Sequence, residues 1–139
     1  MKNINWLKIL GIIVGIVVGG MVVMLIEKWG HSIHPPLEGV DMNQKENVVA
    51  YMESAPTLAI LMVPIAWILG AFIGSFASTM ISLQTWRTNR FIVSLIFLLI
   101  SIMMLITIPS PWYMWVMALG LIFPFGFLGT GLARQVKKL

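Results

Sequence analysis

An all-α membrane protein, built as a four-transmembrane-helix bundle, is predicted by three observations on this 139-residue chain. Hydrophobic residues make up 59% of it and charged residues 10%, with a mean hydropathy of +0.95. A small chain leaves much of its area at the surface, so this much apolar surface requires lipid as solvent. Four apolar runs, at about 6–26, 57–83, 91–108 and 112–133, each have roughly the ~20 residues that cross ~30 Å of hydrocarbon. The acidic residues, Glu27, Glu38, Asp41, Glu46 and Glu53, all lie in the one sizeable polar gap, between the first two runs. The chain reads as a single transmembrane domain, 1–139, without an internal repeat or low-complexity tract.

The first span, 6–26, follows Lys2 and contains Lys8 close enough to its end to snorkel. It is too long for a signal-peptide core of ~7–15 residues and lacks an A-x-A-like cleavage site, so a retained helix is expected. Gly11, Gly15 and Gly19 recur every fourth residue along it, and Gly70, Gly74 and Ser78 repeat the pattern in the second span. Helices in lipid gain no hydrophobic drive from association, so small residues that admit close backbone contact supply much of the attraction. These two faces either pack against each other or build a contact with a second protein.

The segment 27–56 is the chemically equipped loop. If the first helix continues, Glu27, His31 and His34 fall on one face at i, i+4 and i+7. A carboxylate with two imidazoles suits zinc or another divalent metal, with Glu38, Asp41, Glu53 or water completing the shell. Gly30 weakens such a helix, and Pro35 turns His34 away from α geometry. The alternatives are a pH-responsive or polar contact through His31 or His34, or simply solvated groups at a helix end with Glu27 bonded locally. Pro35-Pro36 fixes an extended stretch that folds the chain back. Asn43-Gln44-Lys45-Glu46 matches a capping box, predicting a short helix from about Gln44 to Ser54, ended by Pro56. Val48, Val49, Tyr51 and Met52 give that helix an apolar side suited to the membrane interface.

In the second span, Trp67 falls ~15 Å in at the helical rise and needs an internal acceptor for its N–H. Pro64 there and Pro124 in the fourth span free backbone carbonyls. Broken helices can mark a transport site, so Trp67, Pro64 and Pro124 are candidate pocket residues, with ordinary packing as the alternative. The third span carries no ionisable group, and Pro109-Ser110-Pro111 turns it tightly into the fourth.

Basic residues collect on cytoplasmic loops. Lys2, Lys8, Arg87, Arg90, Arg134, Lys137 and Lys138 therefore put both termini in the cytoplasm, leaving Lys28 and Lys45 with the acids outside. Trp6 and Trp86 mark the inner boundary, and Trp29, Trp112, Tyr113 and Trp115 the outer one. The basic inner rim is accounted for by topology and anionic lipid.

Cysteine is absent, which removes disulfides and thiolate chemistry. No ionisable side chain sits at mid-depth, which argues against a proton relay or voltage sensor. No phosphate-binding loop or catalytic constellation is discernible, and nothing points to nucleic acid.

From Glu27 to Pro36, then at Tyr51, Pro56, Trp67, Gly70 and Gly74, the chain resembles a group of small four-span bacterial integral membrane proteins with no assigned activity. That resemblance implies the bacterial cytoplasmic (inner) membrane. His34-Pro35-Pro36 is also similar to the signature of HPP-family membrane proteins, but Leu37-Glu38-Gly39 replaces the alanine- and glycine-rich continuation, and the match is coincidental. Small multidrug transporters share the size and span count, yet place a glutamate inside the first span, whereas Glu27 follows it. The reading adopted is a structural or accessory subunit, packed through its glycine faces against itself or another membrane protein. A small transporter or divalent-cation-binding protein using Glu27, His31 and His34 is the alternative, and a membrane metalloenzyme the third.

Overall fold

The computed structural model describes residues 2–138, with side chains from Asn5 onward. The helices are α1 (Lys2–Ile33), α2 (Lys45–Ser54), α3 (Thr57–Ile81), α4 (Trp86–Thr107) and α5 (Trp112–Lys138), with a 3₁₀ turn at Leu83–Thr85; no strand occurs among the described residues. All except α2 and the 3₁₀ turn are long and apolar enough to cross a membrane. Ile13, Val17 and Met21 stand 53%, 56% and 58% exposed on the open side of α1, a surface that only lipid would solvate without penalty. The chain is an integral membrane protein folded as a helical bundle.

The glycine faces meet inside the chain. Helices α1 and α3 run antiparallel, pairing Gly11 with Ser78, Gly15 with Gly74 and Gly19 with Gly70. A Cβ placed on Gly19 would come 2.5 Å from the Gly70 carbonyl oxygen, and one on Gly70 would lie 3.0 Å from that of Gly19. Backbones this close permit Cα–H···O contacts, each worth ~0.5–1 kcal/mol. Gly20, next along α1, faces open space and takes no part.

Helix α3 is the centre of the bundle, touching α1, α4 and α5. Half of its apolar stretch is buried, against 17% for α1. Its partner α5 runs parallel to it. Gly129 brings α5 against the Phe72 carbonyl, and Gly126 meets Ser94 of α4 and Ser75 of α3. One turn on, the Thr79 hydroxyl donates to the Ser75 carbonyl at 2.8 Å and meets the Thr130 hydroxyl at 3.2 Å. With its own proton committed, Thr79 accepts from Thr130. Trp67, Ala71, Val93, Phe97 and Ile122 fill the apolar core around these contacts.

Helix ends differ from the sequence expectation. The first helix runs on to Ile33, because Gly30 is buried against Met62 of α3, where a Cβ would be 3.3 Å from the Met62 Cβ. It stops just before the proline pair, with the His34 amide still bonded to the Gly30 carbonyl at 3.2 Å. Helix α4 begins at Trp86, well before 91, and α5 continues to Lys138, beyond 133. Polar residues there stay helical because Asn89 bridges: its side-chain amide donates to the Lys8 carbonyl at 3.4 Å and its oxygen accepts from Thr85 at 3.1 Å. Both α3 and α5 continue through Pro64 and Pro124 without interruption.

Helix α2 forms without the predicted capping box. Gln44 is its N-cap and makes no side-chain bond to it. Asn43 is diverted, its backbone and side-chain N–H groups both donating to the Asp41 carboxylate at 2.9 Å. Gly39, at φ 79°, makes the left-handed turn leading into that loop.

Candidate functional site

A cavity of about 220 Å³ opens between α2 and the ends of α1, α3 and α4. Apolar residues of α2, α3 and α4 make most of its wall, among them Met52, Ala59, Met62, Val63 and Met104. Polar groups reach it from Glu27, His31 and Tyr51. Glu27 and His31 are there because α1 is continuous: i and i+4 on one helical face point into the same space.

Tyr51 fastens the cap. Its hydroxyl donates to the His34 carbonyl, so α2 is tied to the end of α1. Its ring meets that of His31 edge-on at 5.9 Å and that of His34 at 5.0 Å. Burial pushes the phenol above its ordinary value, so it remains a neutral donor beyond the usual tyrosine range.

Glu27 lies near the buried Trp67 side chain, 4% exposed, and His31 is its titratable neighbour. Trp67 and Glu27 also border a groove between α1 and α4, floored by Phe97 and open beside Gly20. Pro64 is buried in the bundle and Pro124 is exposed on α5, and neither lines this cavity or groove.

The three residues predicted as metal ligands are not assembled. The His34 ring lies 3.3 Å from the Ser54 hydroxyl, outside the cavity, on a second recess bordered by the proline pair. Among the described residues no three His, Cys, Asp or Glu side chains stand close enough to hold a metal ion. Proline 35 explains the separation, since it takes His34 out of the helical register that Glu27 and His31 keep. The six remaining predicted residues, Gly11, Gly15, Gly19, Gly70, Gly74 and Ser78, lie in the α1–α3 seam and away from the cavity.

Sequence reasoning missed Tyr51, Met104 and Gly30 as parts of the site. Tyr51 carried a signal only as an apolar-side residue of α2, and its hydroxyl bond to His34 depends on how the loop closes.

No family model, no curated protein and no solved structure matches this chain. What the fold and cavity define is therefore the class alone: a small polytopic membrane protein with a small cavity at one end of its bundle.

Proposed function

We infer that this protein binds, or transports, a small apolar organic cation in the cavity beneath α2. The observation that carries this is a carboxylate, Glu27, set in a mostly apolar wall that also holds His31 and Tyr51 and is lined by no lysine or arginine. A carboxylate at the edge of hydrocarbon favours a cationic partner. Aromatic side chains such as Tyr51 add cation–π attraction for an alkylammonium group. At about 220 Å³ the cavity is below the ~300–1,000 Å³ usual for drug-sized ligands, so the occupant is small. A divalent metal is less well served, because Glu27 and His31 supply two ligands where zinc takes four.

The test is thermal unfolding of the purified protein with benzyltrimethylammonium or its uncharged isostere neopentylbenzene. The cation raises the melting temperature of the parent, and Glu27→Gln abolishes the shift. Ala59→Leu, which narrows the cavity and leaves the carboxylate intact, weakens it too. Equal stabilisation by both compounds, or a shift unchanged in both variants, refutes the reading.

Both termini are assigned to the cytoplasm and α2 to the outer side, on the partition of Lys and Arg between the two ends. The resemblance to small bacterial four-span proteins supports the bacterial inner membrane as the location. An accessory role is the second reading. The glycine faces are used within the chain, and the surface that favours a partner is the uncovered side of α1, where Gly20 meets no neighbouring atom. Mild-detergent purification from the native membrane tests it: a stoichiometric partner lost in Gly20→Leu supports that role, and a lone monomer opposes it.

A further inference from the structure

At the end of the bundle opposite α2, three arginines converge on one indole. The guanidinium carbons of Arg87, Arg90 and Arg134 stand 5.1, 4.9 and 4.2 Å from the centre of the Trp86 ring. That of Arg90 also lies 3.9 Å over Phe127. Arg87 and Arg90 come from the start of α4 and Arg134 from the end of α5, so tertiary folding assembles the group. Arg90 lies within electrostatic range of both the others, and like charges held together repel. No Asp or Glu side chain is available to them, since every acidic residue lies between 27 and 53, at the other end. The aromatic face offsets part of the repulsion but brings no negative charge. Membrane topology needs basic residues only on one side, and does not gather them on a single ring.

We propose that Trp86, Arg87, Arg90 and Arg134 form a binding site for the phosphate headgroup of an anionic phospholipid. Charge complementarity requires an anion, and guanidinium forks match phosphate oxygens in paired hydrogen bonds. Arg87 is exposed and Arg90 and Arg134 are half-buried, so their heads remain reachable. What favours a lipid over a free phosphate is the adjoining surface. Phe91, Phe123 and Phe127 form a ring cluster with centroid separations of 5.7 and 6.1 Å. Phe91 and Phe127 are 52% and 41% exposed on the lipid side, placed to carry an acyl chain below the headgroup.

The site is tested on the full chain in neutral detergent, by thermal unfolding during titration with short-chain phosphatidylglycerol, phosphatidylcholine of equal chain length, or inorganic phosphate. Phosphatidylglycerol gives saturable stabilisation and the other two give none. Arg90→Gln/Arg134→Gln weakens the apparent affinity by about tenfold or more, as expected for lost charge-assisted bonds. The Lys pair Arg90→Lys/Arg134→Lys weakens it less. Lys137→Gln/Lys138→Gln, which removes two exposed charges at the same end, leaves it within about twofold of the parent, because exposed charges contribute little. If the arginine double variant fails to fold, exposed Arg87→Gln carries the test, and an unchanged titration there overturns the site. Equal weakening by the Lys137/Lys138 variant would reduce the site to general surface charge, and stabilisation by inorganic phosphate alone would reassign it to a soluble anion; either result overturns the proposal.

Discussion

Gly15 and Gly74 face each other across the α1–α3 seam so closely that neither has room for a methyl group. A Cβ on Gly15 would lie 2.7 Å from the Gly74 carbonyl oxygen, and one on Gly74 would lie 2.6 Å from that of Gly15. In both cases the obstacle is backbone, which cannot rotate aside as a side chain does. The seam orients α1, and α1 brings Glu27 to the cavity.

Gly15→Ala and Gly19→Ala are each expected to destabilise the protein by about 1–3 kcal/mol through overpacking. Gly20→Ala, one residue away in open space, should be neutral or slightly stabilising, since Ala exceeds Gly in helix propensity by roughly 1 kcal/mol. Thermal unfolding in detergent of the three variants checks the contrast. Equal effects at Gly19 and Gly20 would show that the seam is not formed as described.

The Thr79–Thr130 bond is expected to be modest. In a membrane such contacts average about 0.6 kcal/mol, because the separated helices find other partners. A double-mutant cycle with Thr79→Val and Thr130→Val measures it, and a coupling near zero would place the two hydroxyls apart.

Tyr51 controls the cap. Tyr51→Phe keeps the ring contacts and loses the bond to the His34 carbonyl, costing about 1 kcal/mol locally. Hydrogen exchange across 45–54 should accelerate in that variant and remain unchanged in α4. The phenol is held above its ordinary value of 10.0, so the unfolded cap gives up its proton first as pH rises. Its contribution is therefore full below about pH 10 and is lost as pH climbs through the folded value. Alkaline loosening of 45–54 in the parent should be absent in Tyr51→Phe.

Orientation is testable because the chain contains no cysteine. Gln44→Cys should react with a membrane-impermeant maleimide in intact cells, and Lys137→Cys only after lysis. The reverse pattern would invert the assignment of α2 to the outer side.

The four long helices were legible because each apolar run comes close to or exceeds the length that crosses the hydrocarbon, a property of composition alone. Their ends were less so. Arg87 and Arg90 read as loop residues, yet α4 holds them because Asn89 bonds across to Lys8 and the arginines lie on Trp86. The capping box failed for a related reason: Asp41 competes for Asn43, and local sequence does not rank two local bonds. Within the site, Glu27 and His31 could be paired by helical spacing. The proximity of Glu27 to Trp67 could not, since it brings together different helices across a seam whose register is set by Gly15, Gly19, Gly70 and Gly74. His34 was grouped with them by spacing and separated by the proline that follows it.

The most direct test is equilibrium dialysis of radiolabelled benzyltrimethylammonium against the protein in nanodiscs of zwitterionic lipid, comparing the parent with Glu27→Gln. One saturable site per chain is expected in the parent and its loss in the variant, with Tyr51→Phe intermediate. Saturable binding of equal affinity in Glu27→Gln, or no binding above empty nanodiscs in the parent, would contradict it.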